Sequence, residues 1–194
     1  MSSTPRRAAL ADADALSALA GELFPDACPS FLPRSAIDAF IAENLSIEAF
    51  REHLAHPSWR AWVTERSDQT APSGAPGQRA VAPVGSNLLA YTLVGLSPTT
   101  DETVLAATDG RGAAYLSKMY ARPEVRGTGV AETLCRETMQ ALAVEGQAFV
   151  WLGTHVDNAR ANAFYERLGF TIIGERIFDV GGVQARDWVR LARL

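Results

Sequence analysis

A short glycine-containing turn carries the clearest chemical signal in the sequence. Residues 126–131 read Arg-Gly-Thr-Gly-Val-Ala and stand between a predicted strand over 114–121 and a predicted helix over 130–145. Glycine lets the backbone approach a ligand closely, and the first amides of a helix form an anion site together with the helix dipole. With Arg126 beside it, the turn is typical of a pyrophosphate site, although a plain strand-to-helix turn accounts for it equally well.

Two other phosphate-binding motifs do not fit this turn. A dinucleotide fingerprint requires a small residue where Glu132 stands. It also requires an acidic residue about 20 positions further on, where the chain reads Phe149-Val150-Trp151. A Walker loop requires Gly-Lys-Ser/Thr, which the sequence lacks. The sequence therefore argues against a nucleotide-binding module of either kind.

A second segment, WLGTHVDNARANAFYERLGF, occupies residues 151–170. Asn158 is a good N-cap for a helix predicted to end at Leu168. Four apolar or aromatic residues share one face of that helix at i, i+3, i+4 and i+7, namely Ala161, Phe164, Tyr165 and Leu168. On periodicity alone Tyr165 is more often a core aromatic residue than a catalyst, and Trp151 is interpreted as core.

The glycine turn resembles the first signature of the GNAT N-acetyltransferase family, Arg/Gln-x-x-Gly-x-Gly/Ala, at Arg126, Gly129 and Ala131. In that family the loop amides bind the pyrophosphate of CoA, and the backbone of the preceding strand pairs with the pantetheine arm. The resemblance implies acetyl-CoA as cosubstrate and no metal. The residues that it implies for acetyl-CoA binding are Met119, Tyr120, Ala121, Arg126, Gly127, Thr128, Gly129, Val130, Ala131, Asn158 and Tyr165.

The second segment resembles the second signature of the same family, Asn-x-x-Ala-x-x-x-Tyr followed by Gly-Phe. Its positions are Asn158, Ala161, Tyr165, Gly169 and Phe170. The resemblance implies that the Asn158 side chain binds the pantetheine amide and that Tyr165 protonates the departing CoA thiolate. Two signatures in the right order are more specific than either one alone.

Direct acetyl transfer also requires loss of a proton from the acceptor amine, since a free alkylamine has a pKa of about 10.4. His155 follows the predicted fifth strand, near the expected position of the acetyl group. We predict Tyr165 and His155 as catalytic residues, although a loop histidine without a role fits His155 equally well. Glu43, Glu48 and Tyr120 are further candidates for the acceptor side.

The elements that must position these residues follow from hydrophobic periodicity. Crossovers through helices in the middle and a hairpin at Gly181-Gly182 predict an α/β (α+β) fold, the GNAT fold. Its sheet is expected to be mixed, mostly antiparallel and of about six to seven strands, with helices on its faces. Strands are predicted over residues 7–10, 59–64, 87–96, 114–121, 147–153, 170–180 and 183–194, and helices over 13–24, 35–44, 46–56, 130–145 and 158–168.

Length and composition favour one globular domain over residues 1–194, with 47% hydrophobic and 21% charged residues. Residues 67–83 are rich in Pro, Gly, Ala and Ser and predict a disordered loop. Cys28 and Cys135 are too few and too far apart for a disulfide framework or a zinc site, and Cys135 is expected as a reduced core thiol. The sequence shows neither a signal-peptide core nor a long apolar span, which predicts a cytoplasmic protein.

The acceptor is predicted to be a small-molecule amine. A net charge of −4 argues weakly against nucleic acid, and no membrane partner is expected. Trp-Leu-Gly before the Asn-x-x-Ala helix, with a long helical N-terminal region, is similar to a bacterial branch that acts on polyamines. Another small amine, an antibiotic or a protein N-terminus remains open, as do a non-catalytic acetyl-CoA sensor and a homodimer.

Overall fold

A mixed sheet of seven strands forms the centre of the molecule in a computed structural model that describes residues 4–66 and 87–194. The strands are β1 (Arg6–Arg7), β2 (Trp59–Glu65), β3 (Leu88–Gly95), β4 (Ala113–Ala121), β5 (Phe149–His155), β6 (Thr171–Val180) and β7 (Val183–Arg193). Their order is β1-β2-β3-β4-β5-β7-β6, and β4 with β5 is the one parallel pair recorded among the described strands. The predicted fold class is confirmed, whereas the predicted loop over 67–83 lies outside the described residues.

Six helices cover the faces of this sheet within the described residues. They are α1 (Ala13–Ala27), α2 (Arg34–Asn44), α3 (Ile47–Ala55), α4 (Glu102–Ala107), α5 (Val130–Val144) and α6 (Ala159–Arg167). Helices α1 to α3 pack on one face through Leu16, Ile37 and Phe50. Helices α5 and α6 pack on the other face, where Leu134 and Tyr165 are buried. The core therefore consists of two layers of side chains, one on each side of the sheet.

Strand β5 is buried on both faces, as its continuous apolar run predicted. Val150 and Leu152 face α5 and α6, whereas Phe149 and Trp151 pack with Val104 of α4 on the opposite side. Hydrophobic burial on two faces holds this strand firmly at the centre of the sheet.

The two parallel strands separate after three residues. Ala113, Ala114 and Tyr115 of β4 lie opposite residues 149–151 of β5, and no pairing between the two strands is recorded beyond them in the described structure. Just after Tyr115, the register of β4 against β3 shifts by one residue around Ser117. Such a bulge bends the strand and increases its local twist. The bulge therefore lies where β4 diverges from β5, and it opens a gap between them.

The structure corrects two predictions at the N-terminal side. The strand predicted over 7–10 is only Arg6–Arg7, because the chain turns into a 3-10 helix at Leu10. Helix α1 continues through Pro25 to Ala27. A proline removes one backbone hydrogen bond, and the buried apolar face of α1 compensates for that loss.

Two further corrections concern the second half. Helix α4 was not predicted, because six residues are too short to show a helical period. Its N-cap, Asp101, accepts a hydrogen bond from the amide of Val104 at 3.1 Å. Strand β5 begins at Phe149 rather than at residue 147 and ends at His155, so this histidine is part of the strand rather than of the following loop.

Candidate active site

The open edge of β4 presents backbone groups to the gap. The amide of Arg122 donates to the carbonyl of Leu89 at 2.8 Å, which makes these two residues a hydrogen-bonded pair of β4 against β3. Hydrogen-bonded and non-hydrogen-bonded pairs alternate along an antiparallel ladder. The backbone groups of Met119 and Ala121 therefore point away from β3, towards β5. They are available to an extended ligand and to a developing oxyanion.

The glycine turn has the conformation that its sequence predicts. Gly127 and Gly129 have φ values of 75° and 86°, in the left-handed region that glycine adopts without strain. The hydroxyl of Thr128 donates to the carbonyl of Val125 at 2.8 Å and closes the turn. The N-cap of α5 is Gly129, which has no side chain to cap the helix. Within the described residues, the amides of Val130 and Ala131 donate no hydrogen bond, so they can bind an anion.

A cavity of about 210 Å³ lies against this turn and α6. Three cationic side chains line it, and two of them, Arg160 and Arg167, were not predicted. Their spacing of seven residues on α6 is the sequence signal that would have placed them on one face. A pyrophosphate next to α5 would therefore lie in a positive field. The predicted residues that line this cavity are Met119, Tyr120, Ala121, Arg126, Gly127, Ala131, Asn158 and Tyr165.

A larger cavity of about 350 Å³ lies on the other side of the gap, beneath α1 and α2 and beside the β6–β7 hairpin. The two cavities share walls formed by Ala27, Met119, Tyr120, Asn158, Ala161 and Tyr165. Because they share these walls, the two cavities adjoin, and a ligand in one cavity can reach a ligand in the other. The sequence motifs predicted the smaller cavity, whereas most of the larger one comes from residues that carry no signature.

Tyr165 belongs to both cavities and is the central predicted residue. Only 9% of its surface is exposed, and its ring packs edge-on against Phe164 and Phe170. Its hydroxyl makes no hydrogen bond to any described residue, so it is free to donate to a ligand. Burial raises the pKa of Tyr165 well above its ordinary value. The phenol therefore remains protonated at neutral pH and can act as an acid.

Asn158 serves as the predicted N-cap of α6. Its Oδ1 accepts a hydrogen bond from the amide of Ala161 at 3.1 Å. The side-chain nitrogen makes no hydrogen bond to a described residue, and the residue lines both cavities. Capping therefore leaves one amide donor for a ligand, as the prediction of two roles requires.

A second asparagine, which the sequence analysis missed, fastens α6 to the end of β5. The side-chain nitrogen of Asn162 donates to the carbonyls of His155 and Val156, each at 3.1 Å. Its oxygen accepts a hydrogen bond from Nε of the buried Arg190 at 3.1 Å. Since Tyr165 lies one helical turn further along α6, this network positions the proposed acid.

Replacing Asn162 by alanine is expected to lower the free energy of unfolding by about 2–4 kcal/mol. Three hydrogen bonds disappear, and the buried guanidinium of Arg190 loses a partner. Urea unfolding followed by circular dichroism would measure the change. Asn44→Ala is the matched control, because Asn44 donates only to Phe40 within its own helix. This substitution should lower the free energy of unfolding by under about 1 kcal/mol. Equal losses in the two variants would contradict this role of Asn162.

His155 lines the larger cavity at the end of β5, as predicted for a residue near the acceptor. Its Nδ1 accepts a hydrogen bond from the amide of Asp157 at 3.2 Å. In the neutral ring the proton is therefore on Nε2, which donates rather than accepts. Directly opposite on β7 is Asp187, a buried carboxylate that the sequence analysis missed. Burial raises the pKa of Asp187, which makes its carboxylate a stronger base.

The remaining predicted residues divide into two groups. Tyr120 lines both cavities, as expected for a residue on the acceptor side. Glu43 and Glu48 are exposed and line neither cavity, because both point away from the core on the outer sides of α2 and α3. Their assignment to the acceptor site was wrong. Asn44, which follows Glu43 in α2, is part of the cavity wall instead, and so is Cys28, which follows α1.

Lys118 is the only lysine in the sequence, and it lies in the wall of the larger cavity. Its Nζ contacts Ser117 Oγ at 3.4 Å. Burial lowers the pKa of Lys118 to about 8. Its positive charge also lowers the pKa of His53 on α3, although burial of His53 is the larger cause there. A charged lysine in this position is poorly solvated and therefore costs stability.

Lys118→Met is expected to stabilise the protein at pH 7 by on the order of 2 kcal/mol. Because the pKa of Lys118 is lowered in the fold, its stabilising contribution exists at high pH and is lost as the pH falls through about 8. The wild type should therefore gain stability relative to Lys118→Met between about pH 8 and 10.5. Denaturant unfolding at several pH values would measure the difference. Since this lysine is unique, ¹³C-methyl labelling would also report its pKa directly, and an ordinary value would contradict the prediction.

Within the described residues, no helix is long and apolar enough to cross a membrane. In that same part of the chain, the His, Cys, Asp and Glu side chains form no group that could hold a metal ion. Cys28 and Cys135 are free thiols, and the buried Cys135 has a pKa raised to about 12 by desolvation. The expectation of a reduced core thiol at Cys135 is confirmed.

The sequence and fold together define the class of protein. The profile of the acetyltransferase (GNAT) family matches residues 41–170, which is more than half of the chain. The chain therefore belongs to the GNAT acetyltransferase family, as its two signatures predicted. The prediction of an acetyltransferase enzyme is confirmed with it.

Particular relatives agree with this assignment. An uncharacterized N-acetyltransferase of Mycobacterium tuberculosis is 32% identical over 185 residues, which cover 95% of this chain and 99% of that protein. Two solved structures share the fold. The PaiA N-acetyltransferase of Thermoplasma acidophilum in complex with coenzyme A aligns over both full chains with a TM-score of 0.69 and 16% identity. Arabidopsis thaliana NAA60 in complex with acetyl-CoA aligns over 100% of this chain and 99% of that one, with a TM-score of 0.70 and 13% identity.

Proposed function

We propose that this protein transfers the acetyl group of acetyl-CoA directly to a primary amine of a small molecule. One observation carries the proposal: two cavities adjoin between β4 and α6, and Tyr165 forms part of the wall of both. The smaller cavity suits a CoA phosphate, and the larger one has the size of a small-molecule site. A thiolate that leaves where the cavities adjoin would lie close to Tyr165, which lines both of them.

The residues present fit acetyl-CoA. Free amides at the start of α5 and the guanidinium of Arg126 would hold the pyrophosphate. The open edge around Met119 and Ala121 would pair with the pantetheine arm, and the side-chain nitrogen of Asn158 would donate to one of its amides. Gly127 and Gly129 have the left-handed backbone conformation that the turn requires. Thr128 and Val130 are part of the same turn, but their side chains do not line the smaller cavity.

The chemistry is a single displacement at the thioester carbonyl. The neutral amine forms a bond to the acetyl carbon, the carbonyl oxygen becomes an oxyanion, and the bond between carbon and sulfur breaks. A backbone amide of Met119 or Ala121 would stabilise the oxyanion. Tyr165 would donate its proton to the departing thiolate, the acylated nitrogen would release its extra proton to solvent, and the phenolate of Tyr165 would regain a proton from solvent. Positioning in the gap supplies much of the rate acceleration.

The acceptor ammonium must lose a proton before it attacks. We assign its removal to the pair of His155 and Asp187, which face each other across β5 and β7. The carboxylate of Asp187 would accept the proton, directly or through water, because its raised pKa makes it the stronger acceptor. Nε2 of His155 would donate a hydrogen bond that orients the acceptor, since its Nδ1 is already occupied by Asp157.

A polyamine fits the larger cavity poorly on electrostatic grounds. Lys118 and Arg176 line it with positive charge, against the one carboxylate of Asp187. A polycation in this cavity would meet like charges, which cost binding energy. These charges argue against a polyamine, and we propose a less cationic amine as the acceptor. A non-catalytic sensor of acetyl-CoA and a protein N-terminal acetyltransferase are the two alternatives that a direct assay separates.

The test measures free thiol released from acetyl-CoA with a panel of amines. The panel contains spermidine, spermine, simple diamines, amino acids, aminoglycosides and N-terminal peptides, and a reaction without amine is the blank. Turnover with one class of small amine is the expected result. Turnover with peptides alone would identify an N-terminal acetyltransferase. No turnover together with a higher melting temperature in acetyl-CoA would favour the sensor, and failure to bind acetyl-CoA would refute the proposed function.

A further inference from the structure

One cation in the larger cavity, Arg176 of β6, has more donors than partners. Its Nη2 donates to the hydroxyl of Tyr115 at 3.2 Å and lies 3.5 Å from Oδ2 of Asp187, so both contacts are long for a guanidinium. Its Nε is buried without any partner, and Nη1 makes no hydrogen bond to a described residue. A guanidinium has five donor hydrogens, and most of those of Arg176 are unused.

The surrounding residues hold this guanidinium firmly in the cavity wall. The rings of Tyr115, Trp151 and Phe178 lie 5.5, 5.4 and 5.3 Å from its Cζ. Its side chain is 20% exposed. Cation–π contacts of this kind fix the position of a guanidinium without using its donors. Arg176 is therefore rigidly placed and still able to bind an acceptor group.

Gly153 of β5 provides the space that Arg176 occupies. A Cβ atom at this position would lie 2.6 Å from Cζ of Arg176, which is too close for any real contact. Because Gly153 is in the part of β5 that has separated from β4, the guanidinium lies directly beside the gap. A ligand group bound to Arg176 would therefore be near the end of the passage from the CoA side.

We propose that Arg176 binds a carboxylate of the acceptor and that the acceptor is a free amino acid. A carboxylate can take two donors of a guanidinium at once, and burial strengthens such a pair. Asp187, next to Arg176, would bind the ammonium group of the same zwitterion. Lys118 adds a second positive charge to the cavity and favours an anionic group further. This inference rests on the proposed function and names the substrate class of its acceptor cavity.

The experiment compares each amino acid with its decarboxylated amine and with its amide. Lysine with cadaverine and phenylalanine with phenethylamine are suitable pairs, since each member keeps the same side chain. Wild-type kcat/KM is expected to be at least about tenfold higher for the amino acid. Arg176→Gln should lower kcat/KM for the amino acid, mainly through KM, and the loss should be about 100-fold greater than the loss for the decarboxylated amine. Arg176→Lys keeps the charge and should retain part of the preference.

Arg186→Gln is the matched control, because Arg186 belongs to the same hairpin but is exposed and pairs with Glu175 on the outside. Arg186→Gln should leave kcat/KM unchanged for both members of each pair. Calorimetric binding of the amino acid to the CoA-loaded protein provides the same comparison without catalysis. Equal losses for both members of a pair in Arg176→Gln, or equal wild-type affinity for them, would overturn the inference. The proposed function would still stand in that case, whereas an absence of acetyl-CoA binding would overturn the proposed function itself.

Discussion

Tyr165→Phe is expected to lower kcat by between about 100-fold and 10,000-fold, the usual range for loss of a general acid. The phenol lines both cavities and makes no hydrogen bond to a described residue, and its raised pKa keeps it protonated. Without it the thiolate must leave unprotonated. The KM for acetyl-CoA should change little, because the ring and its packing remain. Steady-state kinetics with saturating acceptor would measure the effect.

Tyr91→Phe is the control for this variant. Tyr91 is also fully buried, its hydroxyl has no partner, and it lines neither cavity. Removing that hydroxyl should leave kcat unchanged and the fold at least as stable. A Tyr165→Phe enzyme with the same kcat as Tyr91→Phe would show that Tyr165 does not protonate the thiolate.

Ala131→Glu is expected to weaken acetyl-CoA binding by about 100-fold or more, since two like charges in one site cost several kcal/mol. Ala131 lies in the first turn of α5 and in the wall of the smaller cavity. A carboxylate there would face the pyrophosphate. The same carboxylate should stabilise the helix slightly through its dipole, so the free protein should melt no lower than the wild type. Calorimetric titration with CoA and thermal melting would measure the two effects separately.

Ala143→Glu provides the comparison for this second variant. Ala143 is exposed near the other end of α5 and far from the turn along the helix axis. The substitution adds the same charge to the protein and should leave CoA affinity within about twofold, because exposed charges more than a Debye length apart are screened. Equal affinities in the two variants would contradict the assignment of the α5 N-terminus as the pyrophosphate site.

The predicted elements that proved right are those whose signals are local. Ser46 lies at the start of the helix predicted over 46–56 and caps α3, where its side chain accepts a hydrogen bond from the amide of Ala49. The two glycines of the turn and Asn158 have the conformations that their positions require. A cap or a left-handed residue depends on neighbours within about four positions, and so the sequence contains all that is needed to recognise it.

The wrong predictions concern residues whose surroundings come from distant parts of the chain. Glu43 was assigned to the acceptor site because it lies on an N-terminal helix, yet the rotation of α2 directs it outwards. Pro25 was expected to end α1, but packing of that helix on the sheet outweighs one missing hydrogen bond. Helix propensity predicts structure poorly wherever the burial of apolar side chains favours a different conformation.

The sequence by itself determined the family, the order of most strands and helices, and the glycine turn before α5, because these follow from periodicity and from two short signatures. Only the tertiary structure decided what faces the acceptor. Arg176, Asp187 and Gly153 come from three strands, and no spacing along the chain relates them. They meet because β5, β7 and β6 are neighbours in the sheet and because β4 separates from β5 beside them. Contacts between strands depend on pairing and register, which the free energy of the whole fold selects.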